Sequence, residues 1–290
     1  MRAVYKKILP VCICLVAVGH SGISLAQQGS ASLVPNSGAF LGLGFSAGST
    51  QFNDQQIEAT GISQVMPGNT TGTAGGPPVG VGMSAVNSFA PVIQGGYFQK
   101  FQDSSYLWGA KFSYSYMGGA TATTDRILIP QYGTYPNGSA FTGNAVASSY
   151  QKTINNQISL IPFIGQSFER SMFYIGAGLT VSQVSTKINN LIGFADLNGA
   201  RTDVSGTPQN FSDNQWVLGG VAMIGGSYFI DPSLFLDFTY TYSVTQNKTS
   251  SYYSTFNNPG TPFSYSGQLI GSSTGTATNQ AVTLTINKIF

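Results

Sequence analysis

The sequence predicts an all-β protein: one eight-stranded, antiparallel, up-and-down transmembrane β-barrel with short periplasmic turns and four long extracellular loops. Three observations carry that expectation. Only 8% of the 290 residues are charged, where an ordinary soluble domain carries about 25%. Apolar residues reach 42% and aromatics 12%, yet beyond the first residues they alternate with polar ones instead of forming long runs. Strand-like stretches are joined by short and long connections in turn. In lipid a backbone must satisfy its own hydrogen bonds, so only helices and closed barrels span a membrane. No stretch past the start approaches the 18 apolar residues of a membrane helix, which leaves the barrel.

Residues 1–26 read as a secretory signal peptide. Arg2, Lys6 and Lys7 supply the positive start, an apolar core follows, and Ser24-Leu25-Ala26 offers the small residues of a cleavage site. Cleavage would remove Cys12, Cys14 and His20. The mature chain then has neither Cys nor His, which excludes disulfides and Cys/His zinc sites. No cofactor, metal site or catalytic residue is expected. Residues 27–37 are expected to be a flexible lead-in and residues 38–290 the barrel domain.

Eight strands follow from period-two alternation. The first sets Leu41, Leu43, Phe45 and Ala47 against Gly42, Gly44, Ser46 and Gly48. The second sets Phe89, Ile93 and Tyr97 against Gln94 and Gly96. The third carries Tyr106, Trp108, Ala110, Phe112, Tyr114 and Tyr116 on one face and Lys111 on the other. The fourth has Ile154, Ile158, Leu160 and Ile164, and the fifth Phe173, Ile175, Ala177, Leu179 and Val181. The sixth has Trp216, Leu218, Ala222, Ile224 and Tyr228 opposite Gly219, Gly225 and Ser227. The seventh runs Leu234, Leu236, Phe238, Tyr240, Tyr242 and Val244 against Phe235, Asp237, Thr239, Thr241 and Ser243. The eighth sets Val282, Leu284, Ile286 and Phe290 against Ala281, Thr283, Thr285 and Asn287.

The short connections lie near Asp103, at Glu169-Arg170 and at Asp231-Pro232-Ser233. The long ones are residues 50–85, 119–149, 187–212 and 248–276. Four such loops are rare in a soluble domain and ordinary in outer-membrane barrels. Tyr97, Phe101, Tyr106, Trp108, Phe168, Phe173, Tyr228 and Phe290 gather on the short-turn side. Rings with one wet edge settle at the lipid–water boundary, so they read as a girdle.

The interior-facing charges Lys111 and Asp237 need partners, because an unpaired buried charge costs several kcal/mol. They are expected to form a lumenal polar network with Lys100, Thr239, Thr283 and Asn287. Eight strands leave a lumen just wide enough for side chains to fill. Such a network seals the barrel, or, with the lumenal glycines, borders a narrow pore.

With these residues in place, the chain resembles bacterial eight-stranded outer-membrane barrels, the OmpA-transmembrane and opacity-protein superfamily. The resemblance covers roughly residues 38–290 and rests on pattern. Its sharpest element is the last strand, where Val282, Leu284, Ile286 and Phe290 match the family's alternating aromatic-terminated end and Lys288 departs from it. The resemblance implies a barrel alone, surrounded by outer-membrane lipid and lipopolysaccharide in a Gram-negative bacterium. It also implies that the barrel-assembly machinery recognises the last strand.

Other motifs fail their own contexts. Gly44-Phe45-Ser46-Ala47-Gly48 matches G-x-S-x-G, but it sits inside an alternating strand without a His to act as base. Gly42-Leu43-Gly44 and Gly176-Ala177-Gly178 open no helix. The Asn-x-Ser/Thr sites at Asn69, Asn137 and Asn247 read as polar loop residues. The scarce, scattered cations exclude a nucleic-acid partner. The loops carry Tyr among small polar residues, as in Ser250-Ser251-Tyr252-Tyr253 and Gln131-Tyr132-Gly133-Thr134-Tyr135, a composition suited to adaptable contacts. The expected function is therefore a non-enzymatic surface protein, structural or adhesive, contacting a host or cell-surface ligand through its loops. The alternative is a small porin-like channel for ions or polar solutes. A barrel enzyme ranks last, since only carboxylates such as Asp54 and Glu58 remain to act.

Overall fold

The structure is a computed structural model, and it describes residues 32–134 and 138–290. The signal segment, with Cys12, Cys14 and His20, lies outside the described residues, as do Tyr135 and Asn137.

Eight staves close on themselves. The first is β1 (Ser37–Met66). The second is broken into β2 (Thr70–Gly75), β3 (Val79–Val81) and β4 (Val86–Lys100). Next come β5 (Tyr106–Thr134), β6 (Ala140–Ser167) and β7 (Ser171–Leu197). The sixth is β8 (Ala200–Asp203) with β9 (Gln209–Asp231), and the seventh β10 (Leu234–Thr245) with β11 (Ser250–Asn258). The eighth is β12 (Ser264–Ile289). Each stave pairs antiparallel with the next, and β1 pairs β12 from Phe40↔Ile289 to Met66↔Ser264. The last strand thus closes on the first, and the cylinder has no free edge of the kind that invites aggregation.

Outward residues in the lower half form a continuous apolar band. Leu41, Leu43 and Phe45 on β1, Phe89 and Ile93 on β4, Phe112 on β5, and Leu160 and Ile164 on β6 are all exposed. So are Ile175 and Leu179 on β7, Ile224 on β9, Phe238 on β10, and Leu284 and Ile286 on β12. A water-soluble protein rarely exposes an apolar patch of this extent; lipid is the medium that fits it. All eight aromatics of the expected short-turn girdle are exposed, Phe290 most of all at 80%. Lys288, also outward, sits between Leu41 and Leu234 at this end, where a long side chain reaches the headgroups. Short turns mark the periplasmic side in barrels of this class.

The four long connections are not irregular loops. They continue the staves as β-ribbon: β1 runs on to Met66, β5 to Thr134, and β7 to Leu197, while β6 starts at Ala140 and β12 at Ser264. β-Bulges mark the passage, at Asn53/Gln56, Tyr116/Ala120, Ile154/Asn156 and Ile188/Leu191. Above them the pattern inverts. Ile57, Ile127, Ile129, Ala145, Ile188, Phe211, Tyr252 and Leu269 now point inward and pack into a core. Outside, Gln151, Thr153 and Lys187 face water on the same strands. The inversion is what a strand must do on leaving lipid: below, the outside is oil, and above, the inside is.

Two seams in this extension lack a continuous ladder among the described residues. One lies between β3–β4 and β5, bridged by Thr124 Oγ1 donating to Gly82 O at 2.7 Å. The other lies between β9 and β11, bridged by Ser254 Oγ to Gln209 Oε1 at 2.7 Å. Residues 32–36, expected as a slack lead-in, are docked at the short-turn end. Val34 is buried there among Phe98, Leu107, Phe229 and Phe235. Leu33 N donates to Glu169 O at 2.8 Å.

Candidate functional site

The lumen is filled in layers. At the short-turn end an apolar plug joins Phe40, Phe98, Phe229 and Phe235, whose rings meet at centroid distances of 5.0 Å (Phe229–Phe235) and 5.4 Å (Phe40–Phe235).

Directly above it sits a buried charge cluster. Asp237 comes from β10 and Lys111 from β5, strands that are not neighbours; both point inward because each occupies the polar parity of its strand. Lys111 Nζ lies 2.6 Å from Asp237 Oδ2, with both side chains almost fully buried. Gln94 Nε2 donates to the same oxygen at 3.0 Å. The other oxygen, Oδ1, accepts from Ser227 Oγ at 2.7 Å and from the Tyr174 hydroxyl. Lys111 Nζ also donates to Tyr174 OH at 2.6 Å. Gln94 carries the network on to Thr285 Oγ1 at 2.7 Å and Asn287 Oδ1 at 2.8 Å. The carboxylate is thus met by four donors, the condition under which a buried ion pair is tolerated.

Two glycines make this geometry possible. A Cβ on Gly225 would stand 2.5 Å from the Tyr174 ring and hydroxyl, and one on Gly42 would stand 2.0 Å from Asn287 Oδ1. Their lack of a side chain lets Tyr174 lie across β9 toward Asp237 and lets Asn287 turn to Gln94.

Of the six residues expected in the network, Lys111, Asp237 and Asn287 are joined. Thr239 and Thr283 are buried neighbours across β10 and β12. They line a mixed cavity of about 30 Å³ above the pair, with Ser46, Ser113 and Ser115 and with Val92, Ile161 and Met223. Lys100 stands apart: its Nζ donates to Val34 O at 2.8 Å, down at the plug. It sits too near the short-turn end to reach the cluster. Gln94, Tyr174, Ser227 and Thr285 are the members the expectation omitted, though each falls on an inward parity.

A second polar layer follows. Gln157 Nε2 donates to Ser182 Oγ and Ser243 Oγ, each at 3.1 Å, and Asn279 Nδ2 donates to Gln157 Oε1 at 3.2 Å. Thr50 Oγ1 donates to Asn279 Oδ1 at 3.2 Å. Above this, Phe52, Ile154 and Ala277 form another apolar layer. Ser46 is inward and buried on an unbroken strand, away from any nucleophile geometry. Asp54 occupies the β1 bulge at φ 52°, and Glu58 accepts from Ser272 Oγ at 2.6 Å on the outside. Among the described residues no cluster of His, Cys, Asp or Glu could hold a metal ion.

The closed ladder, the outward apolar band and the aromatic girdle fix the architecture. It is an eight-stranded transmembrane β-barrel. No protein-family model matches the chain, and neither does any of the curated proteins compared with it. Among solved structures it is similar to Neisserial surface protein A (NspA), at 12% identity and TM-score 0.33, covering 87% of this chain and 99% of that one. It is similar to the outer membrane protein OprG of Pseudomonas aeruginosa, at 8% identity and TM-score 0.40, covering 89% and 99%. A third is Ail, the attachment invasion locus protein of Yersinia pestis, at 9% identity and TM-score 0.28, covering 82% and 98%.

Proposed function

We propose that this chain is exported by its N-terminal signal to the outer membrane of a Gram-negative bacterium. There it acts as a non-conducting surface protein whose work is contact. The observation that carries this reading is the filled lumen. A pore for ions or polar solutes needs a continuous wet path, and here the Phe40–Phe229–Phe235 plug and the Lys111–Asp237 cluster stand across the axis. The outer end, by contrast, is a built platform. Tyr132, Tyr253, Phe263 and Leu128 stand exposed on it among neutral polar residues, the mixture that makes adaptable contacts.

The test has two arms. Refolded protein in a planar bilayer is expected to stay silent; steady unitary conductance would favour the channel reading instead. Cells displaying the barrel are expected to lose attachment to host cells when Tyr132→Ser and Tyr253→Ser are combined, with heat-modifiable gel mobility intact. Undiminished attachment by that folded variant would remove the adhesive role.

A further inference from the structure

The outer end of the barrel contains a cavity of about 110 Å³, lined by β1, β2, β5, β6, β7, β11 and β12 and by Val204 and Ser205. Val65, Ala145, Ala195, Leu197, Phe256 and Leu269 are among its apolar lining, and no charged side chain lines it. Beneath it the apolar core around Ile57, Ile129 and Tyr150 separates it from the polar layers of the lumen. Access is therefore from outside.

Its polar groups are unequal. Gln131 Nε2 is engaged with Ala59 O at 2.9 Å, and Ser205 Oγ accepts from Gly193 N at 2.7 Å. Ser63 Oγ is buried in the same wall and has no hydrogen-bond partner. A buried hydroxyl left unpaired is costly. Water is a poor remedy, since a buried water wants two to four polar partners. The glycines of the wall add a second sign. A Cβ built on Gly61 or Gly72 meets nothing within 4 Å, and neither residue has a positive φ. At these two positions the space beside the backbone is open and the backbone would accept an L-residue.

We infer that this cavity binds a small, uncharged, mainly apolar molecule carrying one hydroxyl or carbonyl for Ser63. An apolar cavity of about 150 Å³ holds benzene; this one, at about 110 Å³ and open toward the outside, takes one small ring with part of it in the mouth. The apolar body replaces empty space against Val65, Phe256 and Leu269, and the polar group completes Ser63 Oγ.

The experiment uses the full mature chain refolded into lipid nanodiscs, with 4-fluorophenol and fluorobenzene as ¹⁹F NMR probes. Empty nanodiscs measure partition into lipid. The protein is expected to bind 4-fluorophenol about five- to tenfold more tightly than fluorobenzene, the value of one net hydrogen bond. Ser63→Ala is expected to reduce 4-fluorophenol to the fluorobenzene level. Gly61→Leu, which fills the space, is expected to abolish binding of both. If both probes behave as in empty nanodiscs, or if the wild type and Ser63→Ala bind 4-fluorophenol equally, the inference is overturned. Should Gly61→Leu fail to fold, the near-isosteric Ser63→Ala still decides it.

Discussion

Asp237 accepts hydrogen bonds from Lys111, Gln94, Ser227 and Tyr174 inside a barrel that excludes bulk water. Removing one charge of such a pair strands the other. Asp237→Ala is expected to destabilise the barrel by about 3–5 kcal/mol, read as a lower urea midpoint for the lipid-refolded protein. Replacing both charges, Lys111→Met with Asp237→Leu, is expected to recover most of that loss, because apolar packing often matches a buried pair. A double variant as weak as the single would show that the pair is needed in its own right.

Lys152 is the contrasting case. It lies in the extension beyond the lipid band, buried, over the Tyr150 ring at 5.8 Å. Burial lowers its pKa to about 8, opposed in part by the charge of Asp213. The unfolded chain therefore binds more protons between about pH 8 and pH 10.5, so stability rises with pH across that window. Below it the penalty is fully present. Lys152→Met is expected to raise stability at pH 7, by on the order of 2–3 kcal/mol, and to flatten the rise. An unchanged slope would mean the ammonium is solvated.

At the scale of elements, the lower half of the staves was legible from alternation, apolar out and polar in, except at the inward plug of Phe40, Phe98, Phe229 and Phe235 and at Ile154, which the bulge turns inward. The facing of Lys111, Asp237, Tyr174, Ser227 and Thr285 follows from it. Their heights do not, since height depends on how each strand slides against the next. That is why Lys100 reads as a member and is found at the plug. The extension was illegible as strand for two compounding reasons. Its apolar face switches from outside to inside, and a bulge shifts the parity where the switch occurs. On β1 the apolar positions stay odd, from Leu41, Leu43 and Phe45 to Ile57 and Ala59, across a polar stretch that reads as a loop. Tyr252 and Tyr253 show the cost: both read as loop contacts, and only Tyr253 is exposed. The inversion predicts opposite responses from adjacent residues. Ile129→Asn, inward, is expected to cost about 2–4 kcal/mol, and Leu128→Asn, outward, less than about 0.5 kcal/mol. Equal losses in chemical unfolding would contradict the assigned facing.

For the molecule as a whole, the plug, the charge cluster, the Phe52 layer and the core of the extension are closures in series. Phe40→Ala with Phe229→Ala and Phe235→Ala opens the first and leaves the second. That variant is expected to remain silent in planar bilayers. Adding Lys111→Ser and Asp237→Ser is expected to leave the barrel silent as well, because the Phe52–Ile154–Ala277 layer and the core of the extension still close the lumen. Current from either variant would show that the layers above do not seal.

The ribbons beyond the bulges have a final consequence for reach. On β1 they run from Asn53 to Met66, which at about 3.3 Å per residue and a tilt of about 40° lifts the hairpin tips roughly 35 Å from the bilayer. Flexible tethers of the same length would coil back toward the membrane. A stiff β-mast instead sets a constant stand-off distance, so a large molecule approaching from that side meets the tips before it meets the lipid.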